Sequence, residues 1–127
     1  MRDHRRLLIW ARSHALAVEV RRATRGFPRA GYGPLQSQTT RAAESVVLNI
    51  VEGCGASSLK EFARFLDHSI KSTSELESQL ELAKDYGALG GWEYQRLSTE
   101  TVEIRRMICG YRAKVLSTAK APDRPSG

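Results

Sequence analysis

Two stripes of polar side chains recur at helical spacing. Gln38, Ala42, Ser45, Asn49 and Glu52 repeat 4-3-4-3, with Arg41 beside them, and Ser69, Ser72, Glu75 and Gln79 follow at similar spacing. Such side chains can do two kinds of work. Glu52 or Glu75 could act as a general base, but no His, Cys or second carboxylate is placed to complete a dyad or triad. The other use is a hydrogen-bonded network between two helices. It fixes register, because a slipped helix leaves buried donors and acceptors unpaired at about 1–3 kcal/mol each. The spacing favours this network for Gln38, Arg41, Ser45, Asn49, Glu52, Ser72, Glu75 and Gln79.

Other chemistry is thin. His4, His14 and His68 form neither H-x-x-H nor H-E-x-x-H, and no Glu stands three residues before any of them. The Glu-x-x-His ligand pattern of di-iron bundles is therefore absent, and no metal site or cofactor is expected. Cys54 and Cys109 are too far apart for a metal-ligand motif and form no disulfide framework. The turn from Gly53 to Lys60 contains glycines and enters a helix, which could hold an anion. It matches neither G-x-x-x-x-G-K-[ST] nor G-x-G-x-x-G, and a tight turn with a capped helix explains it. No catalytic set is predicted, so the chain is expected not to be an enzyme.

The arginines are the strongest signal. The chain has 127 residues with 20 Lys+Arg and 14 Asp+Glu, a net charge of +6. Residues 1–30 hold eight arginines against Asp3 and Glu19, which accounts for all of that +6. Arg21, Arg22 and Arg25 fall in the last turns of a first helix, where cations favour the carbonyl end of the dipole. Arg2, Arg5, Arg6 and Arg12 fall at the other end, where that explanation fails. Their guanidinium forks suit phosphate contact. Arg105 and Arg112 join them as candidates further along the chain. No aromatic-interleaved basic platform or established nucleic-acid motif accompanies them.

The elements that position these groups are helices. Ile9, Ser13, Leu16, Val20 and Ala23 make the stripe of a first helix, stopped by Gly26 and Pro28. Pro34 suits the first turn of a second, which runs to about Gly53 with Ala42, Val46 and Ile50 on one face. Gly53 and Gly55 are read as a break. Ser58 and Glu61 then form a capping box. Phe62, Leu66, Ser69, Thr73, Leu76, Leu80 and Ala83 carry the third helix to a stop at Gly87. Leu97, Thr101, Ile104, Ile108, Tyr111 and Val115 carry the fourth. No run alternates with period two, so no strands are expected.

The predicted fold is all-α, a single up-down-up-down antiparallel four-helix bundle over residues 1–119, with a disordered tail over 120–127. The two C-terminal helices are longer, about 42 Å against ~27 Å for the first two. A second stripe on the fourth helix, Val102, Arg105, Cys109, Arg112 and Leu116, mixes apolar residues with Arg as interfaces do. With Trp10 and Ala17 flanking the first helix's core face, it predicts self-association through Trp10, Val102, Cys109 and Leu116. Apolar residues at 41% and charged residues at 27% suit a folded chain, and no apolar run reaches membrane length. Arg12 ends the short Leu7–Ala11 apolar run well before a signal-peptide core. The reducing cytoplasm is the expected compartment.

One stretch is specific. Ile9-Trp10, Phe27-Pro28 and Tyr32-Gly33 precede Gln38-x-x-Arg41-Ala42-Ala43-x-Ser45-x-x-x-Asn49-Ile50-x-Glu52-Gly53, followed by Glu61-Phe62-x-x-Phe65-Leu66 and Ser72-x-x-Glu75-Leu76-Glu77-x-Gln79-Leu80. Over roughly residues 8–116 this resembles the bacterial four-helix bundle proteins encoded in intervening sequences of large-subunit ribosomal RNA genes. The resemblance implies a small cytosolic bundle that assembles as a homopentamer and has no established enzymatic activity. A more distant relative, the accessory protein of diversity-generating retroelements, binds nucleic acid and a reverse transcriptase. The family usually has Ala-x-Gly-Ser on its third helix. Here Ser69-Ile70-Lys71-Ser72 stands there, so Lys71 either disturbs a close contact or faces solvent.

Two functions are expected from these residues. The first is an oligomeric bundle that binds RNA, or an RNA-associated protein, through Arg2, Arg5, Arg6 and Arg12, with Arg105 and Arg112. Five protomers of +6 would carry +30 on one particle, enough for strong salt-dependent attraction to polyanions. The second is a homo-oligomeric scaffold with no nucleic-acid role, whose arginines pair across subunits with the acids of the third helix.

Overall fold

The computed structural model describes residues 2–120. The tail predicted to be disordered lies, from residue 121 on, outside the described residues. A 3₁₀ turn at His4–Arg6 is followed by helices α1 (Leu8–Arg25), α2 (Gly33–Cys54), α3 (Leu59–Asp85) and α4 (Gly91–Lys120). No strand occurs among the described residues. Each helix neighbours the next, and α4 closes back onto α1, while diagonal pairs stay apart. This is the up-down-up-down arrangement, and the helices of 27 and 30 residues overhang those of 18 and 22.

The core follows the heptad stripes. Val20, Ile50, Phe62, Leu66, Leu76, Ile104 and Ile108 are fully enclosed. At the end of α1 the buried residue is Thr24 rather than Ala23, because a straight helix drifts from a strict seven-residue repeat. Thr24 answers its burial by donating to the Arg21 carbonyl at 3.1 Å. The connection from α1 to α2 is fastened at both ends. Phe27 is buried edge-on to Tyr32, and the Tyr32 hydroxyl donates to the Tyr86 carbonyl at 3.0 Å. Gly87 ends α3 with φ at +81°, a conformation that a side chain would strain.

Gly53 corrects the sequence reading. It lies inside the last turn of α2 and breaks nothing. A Cβ there would stand 2.7 Å from Phe62 Cδ1 and 3.2 Å from Phe65 Cβ. The glycine is what lets α2 and α3 approach. The chain turns only after it, at Gly55 and Ala56.

The capping box is half formed. Ser58 Oγ accepts from the Glu61 amide at 3.1 Å, but the Glu61 carboxylate bonds Arg64 at 2.6 Å. Ser58→Ala is expected to lower stability by about 1 kcal/mol. Chemical denaturation of the two proteins measures it.

Arg2, Arg5 and Arg6, expected at the start of the first helix, lie on and just before a separate turn. Asp3 caps the 3₁₀ turn by accepting from the Arg5 amide, and the chain is extended at Leu7 before α1 begins. The turn folds over one end of the bundle. The Arg2 amide donates to the Cys54 carbonyl at 3.0 Å, and its guanidinium lies 5.0 Å from the centre of the Phe62 ring.

Candidate nucleic-acid interface

The polar network exists at its centre. Ser45 and Ser72 hydroxyls meet at 2.8 Å between α2 and α3. Asn49 donates to the Ser45 carbonyl at 2.9 Å and to its hydroxyl at 3.0 Å. Ser69 donates to the Val46 carbonyl at 2.8 Å, and Lys71 beside it faces solvent. The outer members do not join. Gln38, Arg41, Glu52 and Glu75 are exposed and make no side-chain hydrogen bond among the described residues. Gln79 holds its carbonyl oxygen enclosed without a protein partner there. The reason is geometric, since only residues pointing straight across the α2–α3 seam come within reach.

The arginines divide into two sets. Arg12 grips Glu100 of α4 with a two-bond fork, Nε to Oε1 at 2.7 Å and Nη2 to Oε2 at 3.0 Å. Arg96 bonds Glu93 at 2.6 Å and Glu19 at 3.1 Å, again tying α4 to α1. Hydrogen bonding, to Glu100 for Arg12 and to Glu93 for Arg96, raises both guanidinium pKa values further. The Arg96 hydrogen bond, followed by Arg22, holds the Glu19 carboxyl below its usual range. On the other side of α4, Arg105 donates to Glu77 at 2.8 Å and Arg112 pairs with Asp67, both on α3.

Arg12, Arg105 and Arg112, named above as phosphate candidates, are all paired within the bundle. Each already has a carboxylate, because the bundle brings α4 beside both α1 and α3. Three acids of α3, Glu61, Asp67 and Glu77, are engaged by arginines of their own chain. These pairs are part-exposed, so solvent screening keeps each weak. A double-mutant cycle on Arg12→Met and Glu100→Gln is expected to give a coupling of about 0.5–1 kcal/mol in urea unfolding.

The second set has no carboxylate within salt-bridge distance among the described residues: Arg2, Arg5, Arg6, Arg21, Arg25, Arg29, Arg41 and Arg106. Arg2 instead covers Phe62, while Arg5 and Arg6 are exposed on the N-terminal turn. Arg21, Arg25 and Arg41 were not singled out as anion ligands from sequence. Arg21 and Arg25 from α1 and Arg41 from α2 line one open cleft of about 300 Å³. The available signal was the antiparallel order of the bundle, which sets the end of α1 against the start of α2.

Of the predicted interface residues, Cys109 is exposed. Val102 is half-buried, and Leu116 is half-buried against the core. Trp10 lies between His4 and His14, with ring centres 5.1 and 4.9 Å away. The large exposed apolar residues are others: Leu8, Val18, Leu48, Leu82, Tyr86 and Trp92, the last 77% exposed. Sequence reasoning missed them because they stand off the main stripes. Burial pushes the Cys54 thiol up, away from the thiolate a nucleophile needs.

Nothing among curated proteins matches the chain. A solved structure from Bacteroides thetaiotaomicron VPI-5482, a protein with unknown function from the S23 ribosomal protein family, has the same fold. It superposes with a TM-score of 0.77 at 21% identity, covering 83% of this chain and 98% of that one. The family model of the 23S rRNA-intervening sequence protein matches residues 5–110. With that match spanning most of the bundle, the chain belongs to the 23S rRNA-intervening sequence protein family.

Proposed function

We propose that this chain is a non-enzymatic, self-associating bundle of the cytoplasm that binds RNA through the arginines its own carboxylates leave free. One observation carries the reading. The arginines in contact with neighbouring helices are neutralised, whereas those of the first quarter, apart from Arg12 and Arg22, are not. Arg2 serves the end of the bundle, so Arg5, Arg6, Arg21, Arg25, Arg29 and Arg41 supply the positive surface. Unpaired guanidiniums release counterions when they meet phosphate, so affinity must fall steeply with salt. Filter binding of a single-stranded RNA from 50 to 300 mM salt tests it. Affinity that stays flat contradicts it.

The non-enzymatic part rests on dispersal. Glu52 and Glu75 lie exposed on different helices, and the Cys54 thiol is buried. No helix among the described residues is long and apolar enough to cross a membrane. Self-association, with five copies as the expected number, is supported by the exposed apolar side chains and the outer stripe of α4. Cys109→Glu is expected to dissociate the assembly while leaving the monomer folded. Sedimentation velocity reads the mass, and an unchanged mass removes Cys109 from the interface.

A further inference from the structure

The geometry points to a nucleotide-sized binding groove between α1 and α2, with a phosphate held at its arginine end and a base at its apolar end. Two adjoining compartments make it up. The first, about 300 Å³, is lined by Arg21, Arg25 and Arg41 together with Ser37 and Gln36. The second, about 250 Å³, is lined by His14, Ala17, Val18, Val47 and Leu48. Arg21, Thr40 and Glu44 belong to both, so the two are continuous. Each falls near the lower end of the ~300–1,000 Å³ usual for small-molecule sites.

The chemistry differs from one end to the other. Three guanidiniums from two helices line one cleft together with the Glu44 carboxylate, and none of the three has a salt bridge among the described residues. Like charges so placed repel one another, and a phosphate removes that repulsion while accepting charge-assisted hydrogen bonds. The dipole of α1 accounts for Arg25 near its carbonyl end, but not for Arg41, which lies mid-way along α2.

The floor of the first compartment includes Thr24 and Thr40, whose hydroxyls meet at 3.3 Å. Thr24 spends its proton on the Arg21 carbonyl, so Thr40 donates to Thr24. The floor hydroxyls are thus occupied, and the phosphate donors are the arginines, Ser37 and Gln36.

At the far end, Val18 and Leu48 are 46% and 60% exposed on facing helices. A flat, partly apolar base covers such a surface, and His14, whose ring already meets Trp10 on one side, lines the same compartment. Glu44 stands at the junction. Its carboxylate repels phosphate, which sets the ligand's direction, and accepts from base edges that carry N–H donors. Guanine, with adjacent ring and amino donors, fits best. A bare polyanion would use the first compartment alone.

This inference deepens the RNA reading by naming its unit of recognition, and the two can fail separately. The probes are GMP, ribose 5-phosphate and guanosine, titrated into the full chain by calorimetry at 100 mM salt. GMP is expected to bind at least about fivefold more tightly than either fragment. Arg25→Gln with Arg41→Gln is expected to weaken GMP by about tenfold or more, through lost charge-assisted bonds. Arg5→Gln with Arg6→Gln leaves GMP affinity within about twofold. Melting temperatures confirm that these surface variants fold.

Equal affinity for GMP and ribose 5-phosphate would overturn the base compartment. Loss of GMP in the Arg5/Arg6 variant but not in the Arg25/Arg41 variant would overturn the location. No GMP binding by the wild-type chain, with RNA still retained, overturns the groove alone. GMP binding without RNA retention overturns the broader reading and leaves the groove standing.

Discussion

Phe62→Ala is expected to lower the unfolding free energy by about 3–5 kcal/mol, the range for truncating an enclosed phenylalanine. The ring is fully buried at the point where four parts of the chain meet. It lies against the α-carbon of Gly53 on α2, edge-on to Tyr111 of α4 with centres 5.8 Å apart, and beneath the Arg2 guanidinium. Its removal leaves a void that helices of fixed length cannot close. It also frees the N-terminal turn, whose guanidinium contact with an aromatic face is worth about 0.5–2 kcal/mol.

Gly53→Ala attacks the same point from the opposite side. Its methyl would meet the ring at 2.7 Å, so α2 and α3 must part or the ring must leave its rotamer. Overpacking of this kind costs about 1–3 kcal/mol. Combined with Phe62→Ala, the glycine substitution meets no ring, and only the Phe65 Cβ contact at 3.2 Å remains. The two losses should therefore fall short of additivity by about 1 kcal/mol or more in guanidinium unfolding. Full additivity would mean that Gly53 is not there to admit Phe62.

The second large effect is on RNA. Replacing Arg5, Arg6 and Arg25 together by Gln is expected to weaken RNA binding about a hundredfold at 0.1 M salt. The slope of log affinity against log salt should become shallower by about 2, since each single-strand phosphate contact carries about 0.7 of slope. None of the three has a carboxylate to lose among the described residues, so stability is expected to stay within about 0.5 kcal/mol.

The helices were legible because the core stripes keep the 4-3 rhythm except at the end of α1, and breakers stand between them at Gly26, Pro28, Gly87 and Gly90. The family stretch was equally legible, and Gly53 within it gained a physical role from the fold. Gly53 is a close-approach glycine, which sequence alone reads as a break. The separate N-terminal turn was not legible, because a single capping residue, Asp3, starts it.

The site was less legible for one reason. Whether an arginine is free depends on which helix lies beside it. Arg12 and Glu100 are 88 residues apart and meet only because α4 closes the ring of helices onto α1. Arg105 and Arg112 looked like an outer interface stripe, yet α3 supplies Glu77 and Asp67. Conversely, Arg21 and Arg25 had a sufficient local explanation in the helix dipole. Their convergence with Arg41 needs the antiparallel register of α1 and α2, which periodicity does not state.

The central claim is that pairing within the bundle, rather than total charge, decides which arginines meet RNA. Two triple variants with the same charge test it: Arg5, Arg6 and Arg25 to Gln, and Arg12, Arg105 and Arg112 to Gln. Both lower the protomer from +6 by three. The measurement is the salt dependence of RNA binding by each. The predicted result is a slope shallower by about 2 for the first variant and unchanged for the second. Equal loss of slope in both would contradict the claim, because charge alone would then explain the binding.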